Sequence, residues 1–368
     1  MIKILFLIRD LGQGGAEKVL VNLVNNMDRT KFDISITALF GGGVNEQFLK
    51  PDIHFRSIWQ KEIPGNSKIM KVLTPKQLHK ICVKESYDIE IAYLEGPSAR
   101  VISGCSRKET KTICWIHRSH SSIKEVCAAF RSKKEAVQCY TSFDKIVCVS
   151  QYVKDNFCSW MPVSKKATVK YNTVESSYIL EQSKEDVSEI HTDFLKLIGV
   201  GSLKQVKGFE RLLRVSKKLK EEGYHFHLYL LGKGPLKKEF ERYIVQNNLS
   251  EYVTLLGYQT NPYKYVKNCD VFVCSSYSEG FSTAATEALI VGTPIITTLV
   301  SGMEEMLGSH NEYGMIVKND ETCLYEGMKE LLDKPELLQH YKKQAEIRGK
   351  SFSTEETVHA VEKMILHL

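Results

Sequence analysis

A chain of 368 residues is too long for one small core and suits two domains of ordinary size. With 43% hydrophobic and 26% charged residues, its composition is that of a globular protein, which excludes disordered and fibrous classes. A formal charge of +6 is too weak to point to nucleic acid, although it suits an anionic ligand or an anionic membrane surface.

The opening MIKILFLIRD is too short an apolar run for a signal peptide and reads as a first strand over residues 2–8. No window reaches the roughly 20 apolar residues of a transmembrane helix. The ten cysteines show no CxxC pair and no His at metal-ligand spacing, the pattern of a reduced cytoplasmic protein with buried thiols. Short apolar runs alternate with longer amphipathic stretches, which predicts parallel sheets covered by helices.

After the first strand comes RDLGQGGAEK, where Gly12, Gly14 and Gly15 permit close backbone approach. A helix over 16–27 follows, with Val19, Leu20, Leu23 and Val24 on one face. A dinucleotide fingerprint would need glycine where Glu17 stands, so the loop is either a plain strand-to-helix joint or a ligand loop of another kind. Further strands are expected at 32–40, 89–94, 111–117 and 145–150. Asp88 and Glu90 fall at a strand start, the wrong end for ligand, because open α/β sheets bind ligands beyond the carboxyl ends of their strands. His117, in CWIHRSH, sits at such a carboxyl end, whereas Cys114 and Trp115 read as core. Residues 121–138 read as one basic amphipathic helix, whose Lys and Arg either sit in water or dock on anionic lipid.

Residues 174–193 turn polar and lose their periodicity, so they read as a linker between a first domain at 1–173 and a second at 194–350. In the second, strands are expected at 194–203, 226–232, 253–257, 270–276 and 293–298. Lys207, in GVGSLKQVKGFERLL, could neutralise a phosphate as a point charge or simply be solvated; Lys204 is a weaker alternative. The loop YSEGFST opens a helix near Thr283, where the amides of Thr283 and Ala284 meet the positive end of the helix dipole and suit a diphosphate. Ser282 or Thr283 could equally be an ordinary N-cap. Glu287, one turn into that helix, could hold ribose hydroxyls, and Glu279 precedes the turn. Residues 351–368 form an amphipathic helix with Thr357, Val361, Ile365 and Leu368 in register; it either finishes the second domain or crosses back to the first. The expected fold is α/β, two tandem Rossmann-like, doubly wound domains facing across a cleft.

In their order and spacing, these segments resemble the retaining glycosyltransferases of family four, also called group 1, which have the GT-B fold. The resemblance rests on GGAEKVLVNL, WIH followed by VSQYVKDNF, YN before the linker, VGSL with KG, LLGKGP, LLGY and EGFSTAATEALIVGTPII. It implies that Glu279 contacts the donor sugar and that Glu287 holds the nucleotide ribose. Gly280, Phe281, Ser282 and Thr283 would surround the sugar and diphosphate, with Tyr258 of LLGY also at the donor. His117 would hydrogen-bond the sugar, Gly14 and Gly15 would close over the donor phosphate, and Lys207 would stabilise the departing diphosphate. The family often has Arg where VGSL has Ser202, so either Lys204 substitutes or the phosphate site is one charge weaker.

The activity so implied is metal-independent, retaining transfer of a hexose or N-acetylhexosamine from a nucleotide sugar, expected to be UDP-linked. The acceptor would be a glycan or a lipid-linked saccharide in surface polysaccharide synthesis, reached in the cytoplasm at the inner face of the membrane, with no cofactor and no nucleic acid partner. The alternatives are a GT-B sugar-nucleotide epimerase and a non-catalytic partner subunit. The presence of His117, Lys207, Glu279 and Glu287 weighs against the second of these.

Overall fold

The computed structural model describes residues 1–12, 14–61, 70–190 and 192–368. The chain forms two compact units, Met1–Val174 with Glu355–Leu368, and Glu175–Thr354. The first contains a seven-stranded sheet of β1 (Ile2–Ile8), β2 (Phe32–Phe40), β3 (His54–Trp59), β4 (Ile89–Ala92), β5 (Lys111–Ile116), β6 (Lys145–Cys148) and β7 (Ala167–Val169). Their order is β3-β2-β1-β4-β5-β6-β7, and every neighbouring pair is parallel. The second holds six strands, β8 (Leu195–Val200), β9 (Phe226–Leu231), β10 (Val253–Gly257), β11 (Val271–Cys274), β12 (Ile295–Thr298) and β13 (Met315–Val317), in the order β10-β9-β8-β11-β12-β13. These are also all parallel.

Helices cover the sheets, so central strands are apolar throughout rather than alternating. Ile4 through Ile8 of β1 are fully buried, as are Ile113, Cys114 and Ile116 of β5. The strand order reverses between β1 and β4 and between β8 and β11, the switch points at which a parallel sheet opens a crevice beyond its carboxyl edge.

Three strands escape a periodicity reading: β3, β7 and β13. Each lies at a sheet edge, where one flank is unpaired and burial is partial. The sequence HFRSIW of β3 is accordingly polar and only half-buried, while β7 and β13 are three residues each, too short to show a period. The polar stretch 174–193 contains the helix Ser176–Gln182.

The basic segment 121–138 is not one amphipathic helix. It breaks into the short helix Ile123–Val126 and the helix Lys133–Ser142, because Ser122 and Ser132 each cap a new start by accepting from the amide three residues on. Phe130 between them is buried, and the exposed Arg131 donates to the carbonyls of Lys71 and Val72. Among the described residues no helix is long and apolar enough to cross a membrane.

The terminal helix Thr354–Leu366 belongs with the first unit from Glu355 onward. It buries Val358, Val361, Met364 and Ile365, and its Glu362 Oε1 accepts the Asp28 amide at 2.6 Å, before β2 begins. Ile365, 2% exposed, is therefore core, and Ile365→Ala should lower stability by about 2–5 kcal/mol through lost burial and a residual cavity. The urea midpoint reads this directly, and an unchanged midpoint would mean that the helix does not carry the first unit's core.

Candidate active site

In the second unit, the side chains of interest gather where β8 and β11 end. β11 finishes at Cys274 and the chain continues through Ser275, Ser276 and Tyr277 to Glu279. Glu279 Oε1 accepts from Lys207 Nζ at 2.6 Å and from Ser276 Oγ at 2.6 Å. Lys207 ends the short turn Gln205–Lys207 after β8. Two hydrogen bonds lace that turn to the end of β11: the Ser275 hydroxyl donates to Lys207 O at 3.0 Å, and Tyr277 N–H to Val206 O at 2.8 Å. Gly208 makes the approach possible. Its φ of +62° is left-handed, and a Cβ there would stand 2.0 Å from Ser275 O. Burial works against the Lys207 charge, but the Glu279 carboxylate outweighs it and holds the ammonium above its ordinary pKa.

Beneath this pair lies Arg211, 1% exposed, on the helix Phe209–Glu221. Its guanidinium donates to Ser275 O, Ser276 O and Thr298 Oγ1 at 2.8, 2.7 and 3.1 Å, and it sits 4.1 Å from the Tyr277 ring centroid. Strand-end carbonyls that have run out of sheet partners are thus satisfied by a planar donor fork. Sequence reasoning misses Arg211 because FERLLRV reads only as a helix face.

The helix Thr283–Ile290 starts four residues beyond Glu279. Ser282 caps it by accepting the Ala285 amide at 3.3 Å, so the ordinary N-cap is present. That cap leaves the Thr283 and Ala284 amides without a partner among the described residues at the positive end of the helix, so capping and anion binding are compatible here. Ser301 Oγ fixes the preceding turn by donating to Gly280 O at 2.7 Å, and the buried Phe281 ring packs 6.0 Å from Phe352. Glu287 is 8% exposed, with Tyr263 OH at 3.5 Å from its Oε1. Tyr258 follows β10, is exposed, and has the Lys233 ammonium 4.7 Å from its ring centroid. Lys204 is exposed; its carbonyl accepts the Lys207 amide while its own amide donates to Ser202 O at 2.7 Å.

In the first unit, His117 directly follows β5, between β4 and β6. Its amide donates to Glu95 Oε2 at 3.0 Å, and its ring lies 4.7 Å from that of the buried Tyr93. Nε2 is buried without a hydrogen-bond partner among the described residues. Burial drives the imidazole pKa down to about 3, so the ring is neutral at neutral pH and can accept or donate through one tautomer. Gly14 and Gly15 begin the helix Gly15–Asn26, with Gly14 as its N-cap. A Cβ on Gly14 would stand 2.0 Å from Glu17 Oε2, so the missing side chain is what lets Glu17 fold back over the helix start. Burial, followed by the neighbouring Asp10, raises the Glu17 carboxyl. Glu95 and Tyr93, which shape the His117 environment, carried no signal in the sequence.

Two family models match the chain. Residues 13–178 match "Glycosyltransferase Family 4" and residues 181–348 match "Glycosyl transferases group 1". The Campylobacter jejuni N-acetylgalactosamine-N,N'-diacetylbacillosaminyl-diphospho-undecaprenol 4-alpha-N-acetylgalactosaminyltransferase is 28% identical over 96% of each chain. The Rhizobium meliloti lipopolysaccharide core biosynthesis glycosyltransferase LpsD is 23% identical, over 88% of this chain and 87% of its own. Among solved structures, Anabaena HepE in complex with UDP superimposes with a TM-score of 0.79 over 100% of both chains at 18% identity, a likeness of fold.

The half-buried imidazole, with its Nε2 shut off from water, has a pH signature. Its folded pKa of about 3 lies below its ordinary value of about 6.5, so the unfolded chain takes up the proton first and stability falls as pH drops below 6.5. Between pH 6.5 and 5 the wild type should lose stability faster than His117→Gln, measured by urea unfolding across that range. Parallel curves would mean that the ring is solvated.

Proposed function

Because the chain belongs to the group 1, family-four glycosyltransferases and has their GT-B fold of two Rossmann-like domains, we propose that it transfers a hexose or N-acetylhexosamine, with retention, from a UDP sugar to a lipid-linked saccharide. The observation that carries this reading is the Lys207–Glu279 ion pair placed just ahead of a helix whose first two amides are open. The donor diphosphate takes the Thr283 and Ala284 amides as hydrogen-bond donors and draws the Lys207 ammonium to its oxygens. Glu279, released from Lys207, then accepts from donor-sugar hydroxyls, and Glu287 accepts from the ribose. In the first unit, taken by itself, His117 has a neutral ring nitrogen suited to a sugar hydroxyl, and Gly14 and Gly15 leave backbone open enough for phosphate oxygens.

As the bond from the anomeric carbon to the diphosphate oxygen breaks, negative charge grows on the diphosphate. Lys207 and the helix amides are aimed at that charge before it develops. The acceptor hydroxyl attacks from the face the diphosphate is leaving, and its proton passes to the departing phosphate oxygen, so no carboxylate nucleophile is required. Charge stabilisation by an ammonium and amide dipoles makes a divalent metal unnecessary for this step. The Campylobacter jejuni relative, a transferase named for a diphospho-undecaprenol-linked saccharide, supports an acceptor of that class, and hence peripheral work at a membrane surface in polysaccharide synthesis.

A thermal-shift panel of UDP, GDP and their sugars should show stabilisation by the uridine compounds, because a ligand that binds only the native state raises its melting temperature. Incubation of the donor alone should give no new nucleotide sugar, which separates transfer from epimerisation. Lys207→Ala should lower kcat by about 10²–10³-fold. Glu287→Ala should weaken UDP binding about tenfold or more, equivalent to at least about 1.4 kcal/mol. Unchanged kinetics in both variants would overturn the assignment.

A further inference from the structure

The opposite edge of the first unit's sheet holds a cluster that transfer chemistry does not use. His79 comes from the helix Pro75–Cys82, Glu90 from the second position of β4, and Cys105 from the loop after the helix Pro97–Ile102. One potential ligand atom of each lies within 4.8 Å of the other two. His79 Nε2 stands 2.6 Å from Glu90 Oε2, and both side chains are buried, Glu90 completely. Among the described residues Glu90 Oε1 is buried without a hydrogen bond, and its one ion-pair contact is with Arg107 Nη1 at 3.5 Å. A carboxylate so far from water calls for close cationic partners, and the second oxygen of this one has only a loose ion pair without a hydrogen bond, leaving room for a tighter ligand. The convergence is built in. Gly104 has no side chain where a Cβ would stand 2.1 Å from Pro75 O, so the loop presses onto the start of the His79 helix and delivers Cys105 beside it.

We propose that His79, Glu90 and Cys105 form a zinc-type divalent metal site, with water as the fourth ligand. A nitrogen, a carboxylate oxygen and a sulfur together select a borderline-soft ion such as Zn²⁺ over Mg²⁺ or Ca²⁺. Tetrahedral Zn²⁺ with bonds of about 2.0–2.3 Å separates its ligand atoms by roughly 3.5 Å, so the cluster needs only side-chain shifts to close around it. Metal entry displaces the proton shared by His79 and Glu90 and releases the Cys105 thiol proton; the carboxylate and thiolate then neutralise the ion. Cys105 is half-exposed, which gives water and metal a way in. The site would pin β4 to two helices at the amino edge of the sheet, away from the loops at its carboxyl edge, and it does not depend on the transfer reading. No short ligand spacing announces it, which is why the sequence gives no metal signal.

The test uses the full chain, stripped with a chelator, dialysed, and titrated with Co²⁺ alone and Zn²⁺ alone. One equivalent of Co²⁺ should give a thiolate-to-cobalt charge-transfer band in the near ultraviolet. Zn²⁺ should displace it and raise the melting temperature. Cys105→Ser should lose both the band and the metal-dependent shift, whereas Cys158→Ser, a half-buried thiol elsewhere in the same unit, should keep them. The wild-type titration stands alone if Cys105→Ser fails to fold. Absence of a stoichiometric charge-transfer band in the wild type, or its persistence in a folded Cys105→Ser protein, would overturn the proposal.

Discussion

The ammonium of Lys207 and the carboxylate of Glu279, 2.6 Å apart and both largely withdrawn from water, set the geometry on which the second unit's functional edge depends. Neither charge could be held there alone, because a half-buried ion without a partner is expensive. Paired, they keep one cation and one anion ready at the strand ends and leave the helix amides at Thr283 and Ala284 for an incoming anion. On the proposed function, ligand binding would be an exchange of partners, in which Lys207 would trade a carboxylate for phosphate oxygens and the freed carboxylate would gain hydroxyl donors. The low dielectric that strengthens the resting pair also strengthens the pairs that replace it.

The ion pair in turn rests on backbone that would otherwise be left unsatisfied. Parallel strands end with carbonyls that no neighbour serves; just beyond β11 the buried Arg211 fork serves those of Ser275 and Ser276, and at the end of β12 it bonds the Thr298 hydroxyl. The Gly208 backbone lets the preceding turn come within bonding distance of Ser275 and Tyr277. In the first unit, the all-parallel arrangement separates two kinds of chemistry by sheet edge. The carboxyl edge collects the Gly14 loop, Glu95 and His117, and the amino edge collects His79, Glu90 and Cys105.

Much of this was legible in the linear sequence, and the exceptions have physical causes. Central strands announce themselves because burial on both faces demands unbroken apolar runs, as in ILFLI of β1 and VFVC of β11. Edge strands carry no such demand, so β3, β7 and β13 stay hidden. The basic stretch at 121–138 carries enough Lys and Arg to pass for one amphipathic helix, yet Ser122 and Ser132 offer local caps that a periodicity reading does not weigh against helix continuity. At the candidate site, Lys207, Glu279, Glu287, Ser282 and His117 each stand out through loop position and motif. Arg211, Tyr93 and Glu95 look like ordinary helix-face, core and loop residues.

The sequence alone determined the alternation of apolar runs and amphipathic stretches, hence two parallel sheets, and the residue types in the loops beyond their strands. Those are properties of neighbours along the chain, fixed by side-chain hydropathy and backbone preference. Tertiary structure alone decided that Lys207 bonds Glu279 across 72 residues, that Arg211 closes the ends of two strands, and that His79, Glu90 and Cys105 meet at all. Such meetings depend on strand order and on how closely helices can approach, as at Gly104 and Gly208, and charges that only burial brings together leave no periodic trace in the chain that carries them.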